Sequence, residues 1–257
     1  MPNRRAVIIT TTLLVVVIGT MAAYGVWRVL SDAPAEVSLD AAVAVVQEQE
    51  ASNNDVENEP ADLDADQAVA SQPLSQDGVW RVDSETGSFS FEQSTGSFVG
   101  FRVKEELAKI GAITAVGRTG QVAGELSIDE GKLQRVSITA DLSSLVTNDS
   151  RRDRAARHAL NVKENPISTF TLNQPLKLPE TDGSEVSLRA NGQLTVNGIS
   201  RDVVVALRAQ LVENTIVVVG STEVTFDDYD VAVPSASIVV SAEDHGVVEF
   251  QLLFVRE

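Results

Sequence analysis

Apolar and polar side chains alternate along most of the chain beyond residue 120. Val122, Gly124, Leu126 and Ile128 share one face; Asp129-Glu130-Gly131 makes a turn; Val136, Ile138, Ala140 and Leu142 then repeat the pattern. Leu188, Ala190, Leu194 and Val196 share a face up to Asn197-Gly198, a pair suited to a type I′ turn because both positions need positive φ. Val203, Val205, Leu207, Ala209 and Leu211 return along the second arm. Glu213-Asn214 turns into Thr215–Val224, and Val248, Phe250, Leu252 and Phe254 close the pattern. A period of two with short turns predicts an antiparallel sheet with one apolar face. Seven or eight such strands in about 180 residues make either a sandwich or a closed barrel.

Only residues 151–161 break the pattern with a helical one. Ser150 is the expected N-cap, and Ala155, Ala156, Ala159 and Leu160 form an apolar stripe. Pro166 forbids continuation and restarts an extended strand, Ile167–Leu172. A single helix in an otherwise all-β chain suits a lid across a barrel end.

The N-terminal third reads differently. Residues 6–30 are apolar with Arg28 as the sole charge, long enough for a tilted transmembrane helix and longer than the usual secretory apolar core. Small residues at Ala22-Ala23 keep a cleaved signal peptide open as the alternative. Arg4 and Arg5 precede the run and no basic residue follows until after position 76, so residues 1–5 are expected in the cytoplasm and the rest outside. Residues 31–76 hold 11 acidic residues, no basic one and no aromatic one, which predicts a disordered acidic linker; only Val37–Val46 is locally apolar enough for a transient helix. Residues 77–257 are then one extracytoplasmic domain.

Composition removes several function classes. The chain has no cysteine, hence no disulfide framework, thiolate metal site or thiol nucleophile. Residues 77–257 carry 26 acidic and 17 basic residues, the wrong sign for nucleic acid. The two histidines, His158 and His245, are too far apart for a short metal motif, and Asp227, Asp228 and Asp230 lack the glycine and later Glu of a calcium loop. Neither a nucleophile elbow nor a phosphate loop is present, so no catalytic residue, metal or cofactor is assigned. The one basic cluster is Arg151, Arg152, Arg154 and Arg157. It either offers arginine forks at a helix N-terminus to a phosphate or other polar group, or pairs with Asp149 and Asp153 as a solvated face.

Several segments in fixed order carry a family resemblance. They are Trp80-Arg81-Val82-Asp83, the run Gly96–Val103, and Thr147 with Arg152-Asp153, followed by Pro166 and Phe170. The hairpin Leu194-Thr195-Val196-Asn197-Gly198-Ile199-Ser200-Arg201 and the closing Val247–Leu252 complete the set. Together they resemble the YceI-like family from about Trp80 to Val255. The resemblance implies a closed antiparallel eight-stranded, lipocalin-like barrel with one short helix. It also implies a long apolar pocket, which in some members holds a polyisoprenoid chain with a polar end group. The chain departs from the family in two places. Glu105 stands where many members have His, and Ala159-Leu160-Asn161-Val162 replaces a Phe-Phe pair.

The expected ligand is an isoprenoid or other long-chain lipid, with the membrane engaged through the N-terminal helix. Expected contacts are Phe89, Phe91, Phe98, Phe101, Val103, Leu107, Phe170, Leu194 and Val196 as lining, with Arg151 and Arg152 at the polar head. A filled barrel serving as an envelope interaction module is the second reading, with an envelope protein or a second copy of the chain as partner. A lipid-modifying enzyme using Glu105 or Glu106 with His158 is the third.

Overall fold

A computed structural model describes residues 33–57, 76–181, 183–233 and 239–257. The expected cytoplasmic tail (1–5) and transmembrane segment (6–30) lie outside the described residues. Among the described residues no helix is long and apolar enough to cross a membrane.

The alternating segments form strands as the period-two pattern requires. Eight of them close a barrel: β1 (Gly78–Val82), β4 (Val122–Asp129), β5 (Lys132–Asp141), β6 (Ile167–Leu172), β8 (Val186–Val196), β9 (Ile199–Val212), β10 (Thr215–Thr225) and β12 (His245–Arg256). Each pairs antiparallel with the next in that order. The ring closes where Trp80, Arg81 and Val82 meet Arg256, Val255 and Phe254. The N-terminal half of β12 instead pairs with β2 (Phe98–Leu107), which carries β3 (Gly111–Thr119) on its other edge. A short β11 (Val239–Ala242) continues the β12 edge of β2, and a two-residue β7 (Leu176–Lys177) extends the β5 edge. At the β8–β9 turn Asn197 and Gly198 both have positive φ (51° and 72°), which the sequence pair predicts.

Among the described residues there are two α-helices, where residues 77–257 were expected to hold one. The first, α1 (Leu39–Glu57), begins in the apolar patch Val37–Val46, where only a transient helix was expected, and over residues 39–57 it replaces the expected disorder. Leu39, Ala42, Val43 and Val46 are buried against Val212, Val217, Val219 and Leu253 on the outer wall. A marginal apolar stripe thus gains enough surface from its partner to hold a helix that composition alone disfavours. The second helix, α2 (Ser150–Ala159), lies where expected, but its N-cap is Asp149, whose carboxylate accepts from the Arg151 N–H at 2.8 Å.

The main core lies inside the barrel, built from Trp80, Leu126, Ile128, Leu133, Ile138, Ile216, Val218, Leu252 and Phe254. Outside it, Glu249 is 1 % exposed and shared by two arginines. Arg102 Nε donates to its Oε2 at 2.6 Å, and Arg118 Nη2 donates to its Oε1 at 2.7 Å. The remaining donors reach the incoming chain: Arg102 Nη2 meets the Pro34 and Ala35 carbonyls, and Arg118 Nη2 meets that of Ala35. The segment before α1 is therefore pinned to the wall by the same arginines that neutralise Glu249.

Candidate functional site

The barrel interior is not filled. One cavity of about 170 Å³ runs between Leu126, Ile138, Phe170, Leu188, Val218, Phe250 and Leu252. A second of about 160 Å³ lies between Phe101, Val103, Leu145, Val196, Phe226 and the face of α2 formed by Ala155, Ala156 and Ala159. The two adjoin at Val99, Ser168, Leu194 and Val248, which line both. Native interiors rarely leave voids larger than a water molecule, so paired apolar cavities on this scale suit a ligand.

Glycine helps keep this lumen open. The Phe101 ring lies over Gly117, its directly paired neighbour, where an added Cβ would sit 2.5 Å from the ring. Phe170, paired with Leu194, lies diagonally across Gly192, where an added Cβ would likewise meet the ring. Each ring rests against the wall because the facing residue has no side chain to push it inward.

Polar chemistry collects at the α2 end. Inward residues of β2 alternate Val99, Phe101, Val103, and the next in the series is Glu105, 8 % exposed. Arg152 reaches it from the first turn of α2, with Nη2 3.5 Å from Oε2, and its Nη1 donates to Asn148 Oδ1 at 2.8 Å. Burial pushes the Glu105 carboxyl above the usual range, and the Arg152 charge offsets this only in part. Tyr229, in a 3₁₀ turn after β10 (Phe226–Tyr229), lines the same cavity. It is 3 % exposed, and its hydroxyl is buried with no hydrogen-bond partner among the described residues. Burial, helped by the Asp228 charge, pushes its pKa up to about 12, so it remains a neutral O–H donor. The hydroxyl of Ser168, also in the wall, is committed to the Thr195 carbonyl at 2.8 Å.

The ends of α2 explain why Arg152 alone of the cluster faces inward. Thr147 donates to Asp153 Oδ1 through both its N–H and its hydroxyl, each at 2.7 Å, anchoring the helix start. Arg151 is spent on Asp149, whose pKa falls to about 2 mainly because the Arg151 side chain donates to it. Arg157 Nη1 donates to the Leu145 carbonyl at 2.6 Å.

Of the residues nominated from sequence, Phe101, Val103, Phe170, Leu194, Val196 and Arg152 line the cavities. The other five do not. Phe89 is exposed on the β1–β2 loop against Gly120, and the Phe91 carbonyl accepts from Arg118. Phe98 has the opposite parity to Phe101, so it points outward and lies under the Arg118 guanidinium, 4.6 Å from the ring centre. Leu107 is buried beyond the cavity at the end of β2, and Arg151 is exposed. Tyr229 was missed because a tyrosine in an acidic turn reads as surface. Glu105 stood out in sequence only as a family departure and a catalytic alternative; neither Glu106 nor His158 lines the cavity.

A family model described as a YceI-like domain matches residues 80–254. Among solved structures, the chain is similar to a polyisoprenoid binding domain from Saccharophagus degradans implicated in plant cell wall breakdown. That match has 17 % identity and a TM-score of 0.50, covering 63 % of this chain and 94 % of the other. It is also similar to BcnA of Burkholderia cenocepacia, at 18 % identity and a TM-score of 0.49, covering 61 % and 95 %. The YCEI protein of Campylobacter jejuni matches at 18 % identity and a TM-score of 0.46, covering 55 % and 84 %. No curated protein matches.

Proposed function

The chain belongs to the YceI-like family, and on that premise we propose that it is a non-catalytic binding protein that holds an isoprenoid or similar long-chain lipid in its barrel. The observation that carries this is the lumen, two adjoining apolar cavities whose charged residues, Glu105 and Arg152, lie at the α2 end. Each CH₂ moved from water into such a wall contributes about 0.8 kcal/mol, so a chain of several isoprene units is held without strong polar contacts. The polyisoprenoid named for the Saccharophagus degradans domain supports the choice of ligand class. The apolar run at 6–30, read as a single-pass anchor with the barrel outside the cell, supports a role in carrying, storing or sensing a membrane lipid.

The test is mass spectrometry of organic extracts from residues 33–257, purified without detergent. A stoichiometric long-chain lipid is expected. A folded, empty protein that stays empty after incubation with membrane lipids would favour the envelope interaction module instead.

A further inference from the structure

The lipid's head group is open to a sharper reading, which rests on the binding function proposed above. At the α2 end, three side chains bring polar atoms to the cavity: Glu105, Arg152 and Tyr229, whose hydroxyl is unpartnered among the described residues. Their charges already cancel. Arg152 faces the Glu105 carboxylate at 3.5 Å and is further tied to Asn148, so among the described residues the cation that lines this cavity is already engaged. Tyr229 offers an O–H that has no acceptor among the described residues, and Glu105 offers lone pairs.

The geometry points to an uncharged, oxygen-bearing head group, an alcohol or carbonyl on a long apolar chain, with Glu105 as the residue that excludes phosphorylated lipids. An uncharged oxygen can accept from the Tyr229 hydroxyl without adding charge, and an alcohol in addition carries an O–H whose hydrogen bond a carboxylate such as Glu105 accepts. A phosphate monoester carries a charge of about −1.5 to −2 at neutral pH. Placing it here would set it beside a buried carboxylate that has only one arginine to share. Burial already disfavours the ionised form of Glu105, and a second anion would add to that cost. Of the two arginines expected at the polar head, Arg151 lies outside and is committed to Asp149, which leaves Arg152 at the cavity.

The experiment uses the full chain in phosphatidylcholine nanodiscs, labelled by a tritiated, diazirine-bearing geranylgeraniol and competed with geranylgeraniol or geranylgeranyl phosphate. Empty nanodiscs give the background. The alcohol is expected to compete at least tenfold better than the phosphate. Glu105→Gln should narrow that ratio by about tenfold by admitting the phosphate, and Tyr229→Phe should weaken the alcohol several-fold while leaving the phosphate unchanged. Equal competition, a preference for the phosphate, or a ratio untouched by Glu105→Gln overturns the head-group assignment and leaves lipid binding standing. Failure of the wild-type chain to take up label above background, or of either lipid to displace it, overturns both.

Discussion

Two buried carboxylates on opposite sides of the same wall behave differently. Glu249, on the outer face of β12, receives three side-chain donations from Arg102 and Arg118 at 2.6–3.1 Å. Glu105, on the inner face of β2, has one arginine at 3.5 Å and an apolar cavity in front of it. Both are under a tenth exposed. Their difference lies in saturation. A carboxylate whose lone pairs are filled by fixed donors is a structural joint, whereas one left short of partners beside a cavity is available to something that enters. The outer joint also binds the incoming segment 34–35 and so fixes α1, while in the inner cavity the Tyr229 hydroxyl has no partner among the described residues.

That contrast predicts unequal responses to the loss of each group. Glu249→Ala strands two buried guanidiniums and should cost about 3–5 kcal/mol, read from urea unfolding. A cost below about 1 kcal/mol would mean the cluster is not a joint. Next comes the apolar half of the same attachment. Leu39, 1 % exposed against the outer wall, should cost about 2–3 kcal/mol when replaced by Ala. The loss should appear as faster hydrogen exchange in α1 rather than across the barrel. Exchange that accelerates evenly everywhere would show that α1 and the barrel unfold as one unit.

Legibility in the sequence followed the same divide. The barrel strands were readable because one buried face imposes a period of two; β6 and the Asn197-Gly198 turn fall where the pattern put them. The outer attachment was not, although the signal exists. In Ile216-Val217-Val218-Val219 and Leu252-Leu253-Phe254 the alternation stops and both faces turn apolar, as a strand covered on both sides requires. The apolar patch at Val37–Val46 is what answers it, but its acidic surroundings pointed to disorder. Within the site, strand parity would have excluded Phe98 once Phe101 was placed inside. Phe89 and Phe91 had no such guide, because they sit on a loop with no period. Glu105 shares the parity of Phe101, so its inward direction was readable; its shortage of partners depends on how α2 folds across the end.

The smallest effect is expected at Glu105, and its sign is the informative part. Burial raises its pKa above 4.5, so between that value and the raised one the folded state holds the proton that the unfolded state has lost. Stability from this group therefore falls as pH rises through the window, and the full cost of the ionised carboxylate is present above it. Glu105→Gln removes that cost and gives up a contact of 3.5 Å to Arg152, longer than a charge-assisted hydrogen bond. Arg152 keeps Asn148 as a partner in the variant. The variant should thus be at least as stable as the wild type at pH 7, and the two should converge as pH drops below about 4.5, where both side chains are neutral. Thermal unfolding of the lipid-free protein across pH 4–8 reads the difference. A variant that is clearly less stable at pH 7 would make Glu105 a second structural joint like Glu249, and would remove the distinction between the two walls.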